Sequence, residues 1–277
     1  MPRFNWREIA KHAVLIAFAL VILLPLAWVA LLSVKSIQDV YRYPLWPETF
    51  DFSHYKYALT RVRTLPQNFL NSLIVTGGTV LLTTTSAVLA GYALVHLPTP
   101  GRRWFVALLV ASMFFPTRVT ALVAIYEIQK SLGLVGSAWG LIFPYSSLGL
   151  AVSVFIMRGI FETVPKELGD AARIDGCGPW ALFWRVMLPM AGNGVVVVLM
   201  VNFITAWGEF LLAKALIDDQ AALTVPVVLG SVSGGQGQWD WPRLAAVYIM
   251  TILPALAAFA FAQRWYMKGL QEGALKG

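Results

Sequence analysis

Six long apolar runs constrain this chain more than any other feature of its sequence. A helix needs roughly 20 apolar residues to cross the hydrocarbon core of a bilayer. The runs cover residues 13–32, 71–95, 104–124, 138–157, 195–212 and 244–262. Only 13% of the residues are charged, whereas a soluble domain carries about a quarter. We therefore expect an all-α, polytopic membrane protein with six transmembrane helices.

The first run follows a short basic stretch with Arg3, Arg7 and Lys11. A basic start before an apolar run also describes a secretory signal peptide. This run is longer than a typical signal-peptide core, and no clear small-x-small cleavage site follows it. We expect an uncleaved first span.

Two regions follow from the spacing of the runs. Residues 1–70 are expected to form the first span plus an external segment, which is mixed and rich in Trp and Tyr. These residue types suit the membrane interface. Residues 71–277 are expected to form a five-span core, with Pro116 kinking the third span.

The distribution of basic residues gives the orientation. If the N-terminus is inside, most Lys and Arg fall in inner segments, as the positive-inside rule requires; only the 33–70 segment counts against it. Both termini are then cytoplasmic. The net charge of +7 is spread through short loops, which indicates topology and contact with membrane lipid rather than nucleic-acid binding.

One charge-bearing stretch, Glu167–Pro189, interrupts the apolar second half, and we call it the polar segment. Pro165 suits the first turn of a helix, with Thr163 as a possible cap. Gly176 suits the left-handed residue that ends a helix. Gly178-Pro179 then restarts a helix. The pattern predicts two short helices on the cytoplasmic side.

The first of these helices carries small Ala171 and Ala172, and Leu188-Pro189 closes the second. Small side chains let another protein approach closely, which favours a docking surface. The alternative is that the polar segment is only a polar turn between two spans.

The residues Asp170-Ala-Ala-Arg-Ile-Asp-Gly176, followed by Leu188-Pro189, resemble the "EAA…G…LP" cytoplasmic loop of permease subunits of binding-protein-dependent ABC importers. With Phe183-Trp184-Arg185 before Leu-Pro, the stretch is similar to the sugar-importer branch of the maltose and glycerol-phosphate type, second permease. Ala206-Trp-Gly-Glu-Phe210 and the C-terminal Gly269–Gly277 also resemble that branch. Asp170 departs from the usual Glu, which keeps the charge and shortens the reach.

The resemblance implies the type I ABC importer permease fold, with a cytoplasmic coupling loop at 158–192 that sits in a groove on the ATP-hydrolysing subunit. It implies four kinds of partner: a second non-identical permease, a dimer of ATP-binding subunits, an extracytoplasmic solute-binding protein and a sugar-like substrate. The location implied is the inner membrane of a bacterial or archaeal cell. The ATPase-coupling residues implied are Glu167, Asp170, Ala171, Ala172, Arg173, Asp175, Gly176, Leu188 and Pro189.

A solute path is suggested by the fifth apolar run. On a straight helix, Asn202, Thr205 and Glu209 lie within about 60° of one another and form one polar stripe. A carboxylate at membrane depth is costly and is by default a functional hypothesis. Trp207 could stack on a sugar ring if the helix bends at Gly208. The alternative for Glu209 is a structural pairing or hydration near the outer surface, and for Trp207 packing against lipid or a helix.

The sequence lacks the motifs of several function classes. A Gly-x-x-x-x-Gly-Lys-Ser/Thr phosphate loop is absent, so ATP hydrolysis would belong to a partner, and we expect no enzyme activity here. Cys177 is the sole cysteine and the three histidines lie in separate segments, so we expect neither a metal site nor a cofactor. A secondary transporter of a small polar solute is the alternative, but it would need broken helices in paired halves.

Overall fold

The structure is a computed structural model that describes residues 6–42, 45–114, 120–232 and 240–274. Within those ranges every regular element is helical, which confirms the all-α prediction. The helices, in chain order, are α1 Trp6–Leu32, α2 Ile37–Arg42, α3 Ser53–Arg61, α4 Leu65–His96, α5 Arg102–Phe114, α6 Leu122–Ser131, α7 Ile142–Thr163, α8 Lys166–Ile174, α9 Pro179–Leu182, α10 Leu188–Met190, α11 Gly192–Trp207, α12 Leu211–Leu216, α13 Val225–Val232 and α14 Trp241–Ala274.

Four helical stretches are long and apolar enough to cross a membrane: Trp6–Leu32, Leu65–His96, Ala138–Thr163 and Trp241–Gln263. A fifth span is possible if Pro179–Met190 and Gly192–Trp207, bent by 75°, count as one. The remaining predicted span, 104–124, corresponds to α5 and the start of α6. Pro116, the expected kink, lies outside the described residues.

The chain divides into two compact units. One contains the residues up to Leu65 together with Leu229–Leu253. The other contains Pro66–Val228 and the residues from Pro254 onward. The polar segment and the fifth-run residues all belong to the second unit.

The core of the second unit is an apolar cluster contributed by α4, α5, α7, the polar segment and α11. Its fully buried members include Ala87, Met157, Phe161, Ala191 and Val198. Glycines allow α4 and α7 to approach closely, since a Cβ on Gly91 would lie 2.8 Å from the Met157 Cβ. Small residues at the interface between two transmembrane helices are expected to let the helices pack closely in lipid.

Two sequence expectations about element boundaries are wrong. The second span begins at Leu65 rather than at residue 71, because the 66–70 stretch continues the helix. Residues 126–131, expected in the loop between the third and fourth spans, belong to α6, which ends before Gly133 at a φ of 67°. Between the fifth and sixth runs lies α13, in which Val225, Val227 and Val228 are buried.

Candidate functional site

The first helix of the polar segment, α8, ends in a motif that requires glycine. Gly176 has a φ of 81°. The Cys177 N–H donates to the Ala172 carbonyl at 2.9 Å, and the Gly176 N–H donates to the Arg173 carbonyl at 3.0 Å. This pair of bonds is the Schellman arrangement, in which a left-handed residue satisfies the last carbonyls of a helix. The predicted end of this helix is confirmed.

The start of α8 differs from the prediction. Pro165 immediately precedes the helix, and the structure shows no side-chain cap there. The Thr163 hydroxyl donates to the Ile160 carbonyl at 2.7 Å, because Thr163 is the last residue of α7 and its backbone is still helical. Thr163 is therefore not the cap of α8. Glu167 does lie in the first turn, where the helix dipole favours a carboxylate.

The second helix of the polar segment begins at Pro179 and ends at Met190, immediately after Leu188-Pro189, as predicted. It passes through a π-helical turn at Phe183–Met187. Pro189 has no N–H, and in a regular α-helix its ring would clash with the carbonyl four residues earlier. The wider π turn just before it relieves that crowding, so Pro189 fits into the last turn.

The two adjacent alanines of α8 face different surroundings. Ala171 is exposed, whereas Ala172 is only 8% exposed and belongs to the apolar core of the unit. On a helix, neighbouring residues lie about 100° apart, so one can face solvent while the next faces the core. Ala171 is therefore available to a partner, and Ala172 fits α8 onto its own protein.

The remaining predicted coupling residues are mostly on the surface of the polar segment. Those exposed are Glu167, Asp170, Arg173, Asp175, Gly176 and Pro189, while Leu188 is half-buried. The Asp170 carboxylate accepts a bond from the Arg173 guanidinium at 3.1 Å. Both line a cavity of about 510 Å³ that also reaches His96, Arg102 and Glu162. The Asp170 side chain, which is shorter than the usual Glu, is thus bonded to Arg173 of the same helix.

Large apolar side chains on the same surface were missed in the sequence. Ile174 is 86% exposed, Trp180 69% and Trp184 60%. Leu168 is also exposed, on the first turn of α8. The available signal was the helical position of Ile174, which lies about 160° from buried Ala172 and about 140° from buried Gly169 on α8. Leu168, about 40° from Ala172, lies at the edge of the buried face. Large exposed apolar side chains are candidates for an interaction surface.

The fifth-run residues have a different environment. Asn202 is buried between α7 and α11, where its side-chain amide donates to the Ser153 hydroxyl and to the Val198 carbonyl, both at 2.8 Å. Its other side-chain atom, Oδ1, lies so close to Gly149 that no side chain would fit at that position. In this conformation Asn202 joins two helices.

Thr205 of the predicted stripe and Trp207, the predicted stacking residue, also lie on α11. Thr205 is half-buried, and its hydroxyl donates to the Val201 carbonyl at 2.8 Å. Trp207 is buried and stacks on Phe203, with ring centroids 5.7 Å apart. Of the four predicted path residues, Thr205 alone retains partial exposure within this chain.

Glu209 does not lie on the fifth-span helix, and the expected stripe geometry is wrong at that position. The helix α11 ends at Trp207 with Gly208 as its C-cap, because glycine readily leaves the helical conformation. The predicted bend at Gly208 is thus a complete helix end. A glycine followed by an acidic residue just before an apolar stretch is the sequence signal that predicts such an end and restart.

The Glu209 carboxylate caps the next helix. It accepts the Leu212 N–H on both oxygens at 3.1 Å and the Ala213 N–H at 3.3 Å. Backbone N–H groups at the start of a helix are otherwise unsatisfied and favour an anion. The carboxylate is buried, and the Tyr145 hydroxyl lies near it without a hydrogen bond of good geometry.

Comparisons with known proteins agree with this arrangement. Residues 80–270 match the family described as "Binding-protein-dependent transport system inner membrane component". The diacetylchitobiose uptake system permease protein of Streptomyces coelicolor is 30% identical over 268 residues, which are 96% of this chain and 88% of that protein. The maltose/maltodextrin transport system permease protein of Escherichia coli is 32% identical over 293 residues, covering 98% of this chain and 96% of that protein.

The fold has a counterpart among solved structures. A chain in the crystal structure of a bacterial ABC transporter involved in the import of the acidic polysaccharide alginate has a TM-score of 0.81 and 20% sequence identity. The match covers 96% of this chain and 100% of that chain. The predicted permease fold is confirmed. This chain belongs to the family of inner membrane components of binding-protein-dependent transport systems.

Proposed function

We propose that this chain is the transmembrane permease subunit of an ATP-driven importer of a sugar or a related polyol. A second, non-identical permease completes the translocation path, and an extracytoplasmic binding protein delivers the solute. A dimer of ATP-binding subunits supplies the energy. The family membership supports this role, and relatives that serve diacetylchitobiose and maltodextrin support a carbohydrate substrate.

The observation that carries the coupling role is the exposed apolar surface of the polar segment. Ile174 ends α8 and is 86% exposed, although burial of such a side chain is favourable by about 2 kcal/mol. A partner groove that receives Ile174 gains that burial. Binding energy at protein interfaces is concentrated in a few such central side chains. Glu167, Ala171 and Asp175 then surround the apolar contact with polar and small groups.

The orientation follows from the charges. We propose that both termini and the polar segment face the cytoplasm, since most basic residues then lie inside. Single cysteines at Gly101 and Gly178, with Cys177→Ser, are expected to react from the cytoplasmic side only. Labelling of either position from outside would contradict this topology.

The solute path is proposed to pass Thr205, the one predicted path residue with partial exposure. Asn202, Trp207 and Glu209 then shape the path from within the chain: Asn202 fixes α11 on α7, and Glu209 fixes the break that follows Trp207. A hydroxyl that donates and accepts suits a sugar.

Affinity purification from the native membrane tests the proposal. The tagged chain should carry with it an ATP-binding protein and a second polytopic membrane protein. The reconstituted complex should import radiolabelled maltose or diacetylchitobiose only with ATP and a binding protein present. A chain that purifies alone and moves solute without ATP would favour a secondary transporter instead.

A further inference from the structure

The helix α4 joins two distant parts of the second unit. It has 32 residues, and its early residues Asn68, Asn71 and Ser72 contact the loop between α12 and α13. Its late residue Tyr92 contacts the polar segment. At 1.5 Å per residue, Asn71 and Tyr92 are about 30 Å apart along the helix axis.

Three side chains at the start of α4 clamp this loop. The Asn68 amide donates to the carbonyls of Gln220 and Leu223, both at 2.8 Å. The Asn71 amide donates to the carbonyls of Ala221 at 2.8 Å and Leu223 at 3.1 Å. The Ser72 hydroxyl accepts the Val225 N–H at 2.8 Å.

The clamp is buried, whereas residues 218–220 of the loop that it holds are exposed. Asn68 is 0% exposed, Asn71 6% and Ser72 2%, whereas Asp218, Asp219 and Gln220 are exposed. Each clamp bond satisfies a backbone group that has no partner in a helix. Loss of one amide would leave the Gln220 or Ala221 carbonyl without its side-chain donor, at a cost comparable to the lost bond, whereas the Leu223 carbonyl would keep the other amide. The loop therefore cannot move far without α4.

The other end of α4 is packed equally firmly. The Tyr92 ring lies 4.9 Å from the Phe183 ring and 5.8 Å from the Phe161 ring, centroid to centroid. The Tyr92 hydroxyl donates to the Pro179 carbonyl at 3.4 Å. Phe183 and Pro179 both belong to the polar segment.

We propose that Asn68, Asn71 and Ser72 are positioning residues that tie the 217–224 loop to α4, so that a displacement of the polar segment reaches this loop through one rigid helix. The inference rests on the proposed coupling of the polar segment to an ATPase. In the proposed topology, this loop lies on the side of the membrane where the binding protein delivers solute.

A spin label on the loop measures the transmission. In the purified complex, with Cys177→Ser, the label replaces exposed Asp218 as Asp218→Cys. Trapping of nucleotide with ATP and vanadate should change the label's mobility in the otherwise native complex. In Asn68→Ala or Asn71→Ala, that change should shrink by about two-fold or more, the low end of what coupling residues contribute. Ser72→Ala should give a smaller decrease.

The amount of nucleotide trapped separates transmission from damage. It should equal the native amount in the clamp variants, and Asn193→Ala, which removes an exposed amide on α11, should leave both readouts unchanged. An undiminished mobility change in Asn71→Ala and Ser72→Ala would overturn the proposal. So would a decrease matched by an equal loss of trapped nucleotide. A native complex that contains no ATPase or traps no nucleotide would instead overturn the proposed function.

Discussion

The polar segment and the fifth-run stripe both stand out in the sequence, yet they lie in opposite environments. The polar segment displays Ile174, Trp180 and Trp184 to its surroundings. The stripe residues Asn202 and Glu209, and the neighbouring Trp207, are buried in their own chain. A polar stretch can thus carry an apolar contact surface, and polar residues in a span can serve the fold. The residue types alone therefore do not show whether such a stretch is exposed or buried.

The largest effect is expected from the alanine pair of α8. Ala172→Trp places a large ring in a filled core, and overpacking of this kind costs about 3 kcal/mol. We expect loss of folded protein from the membrane and a lower melting temperature in detergent. Ala171→Trp should leave the melting temperature unchanged and weaken association with the ATPase, measured by co-purification.

Equal melting temperatures for the two variants would mean that α8 is not seated as the structure shows. Ala90, half-buried on α4, offers a third position, where Trp should have an intermediate effect.

Substitutions of Glu209 test whether this residue caps a helix or lines the solute path. Glu209→Ala removes the acceptor of the Leu212 and Ala213 N–H groups, and the loss of this helix cap costs about 1–2 kcal/mol in all. Glu209→Gln keeps one acceptor oxygen and should recover part of the loss. We expect thermal stability and uptake to fall together in this series, measured by melting and by radiolabelled uptake in vesicles.

A Glu209→Ala protein with native stability and altered sugar preference would return this carboxylate to the solute path. Thr205→Val gives the complementary comparison, because it removes a hydroxyl and keeps the side-chain shape. It should change uptake more than stability.

The smallest effect is expected from Gly176. A β-branched residue at a φ of 81° is strained by about 1–2 kcal/mol, so Gly176→Val should alter the end of α8 while the buried core stays intact. Uptake should fall with ATP hydrolysis partly retained. Gly178→Val is the matched control, since the Gly178 φ of −66° suits any residue. Identical uptake in the two variants would remove the role of the left-handed turn.

The features that could be read from the sequence share one property, which is that they depend on a few neighbouring residues. Gly176 and Pro179 act locally through their own backbone preferences, so the end of α8 and the start of the next helix were predictable. The span positions depend on composition over about 20 residues and were also largely predictable.

The features that were missed depend on the tertiary structure or on weaker local signals. Whether Ala171 or Ala172 faces the core is set by where α7 and the π turn lie. Asn202 looks like a path residue until Ser153 and Gly149 are brought opposite it. Glu209 was placed on the fifth-span helix because that helix was assumed to continue past Gly208, although this glycine already indicated the end of α11. The family membership also disfavours the secondary-transporter alternative, which periodicity alone left open.

The central claim is that α8 docks in a partner groove through Ile174, and one labelling measurement tests it most directly. Ile174→Cys, with Cys177→Ser, is treated with a thiol reagent in the chain purified alone and in the complex with its ATP-binding subunits. Residues at the centre of an interface are shielded from water, so the labelling rate at position 174 should fall by about ten-fold or more in the complex. Gly101→Cys, an exposed position outside the polar segment, should label at the same rate in both. Equal rates at position 174 with and without the ATP-binding subunits would contradict the account.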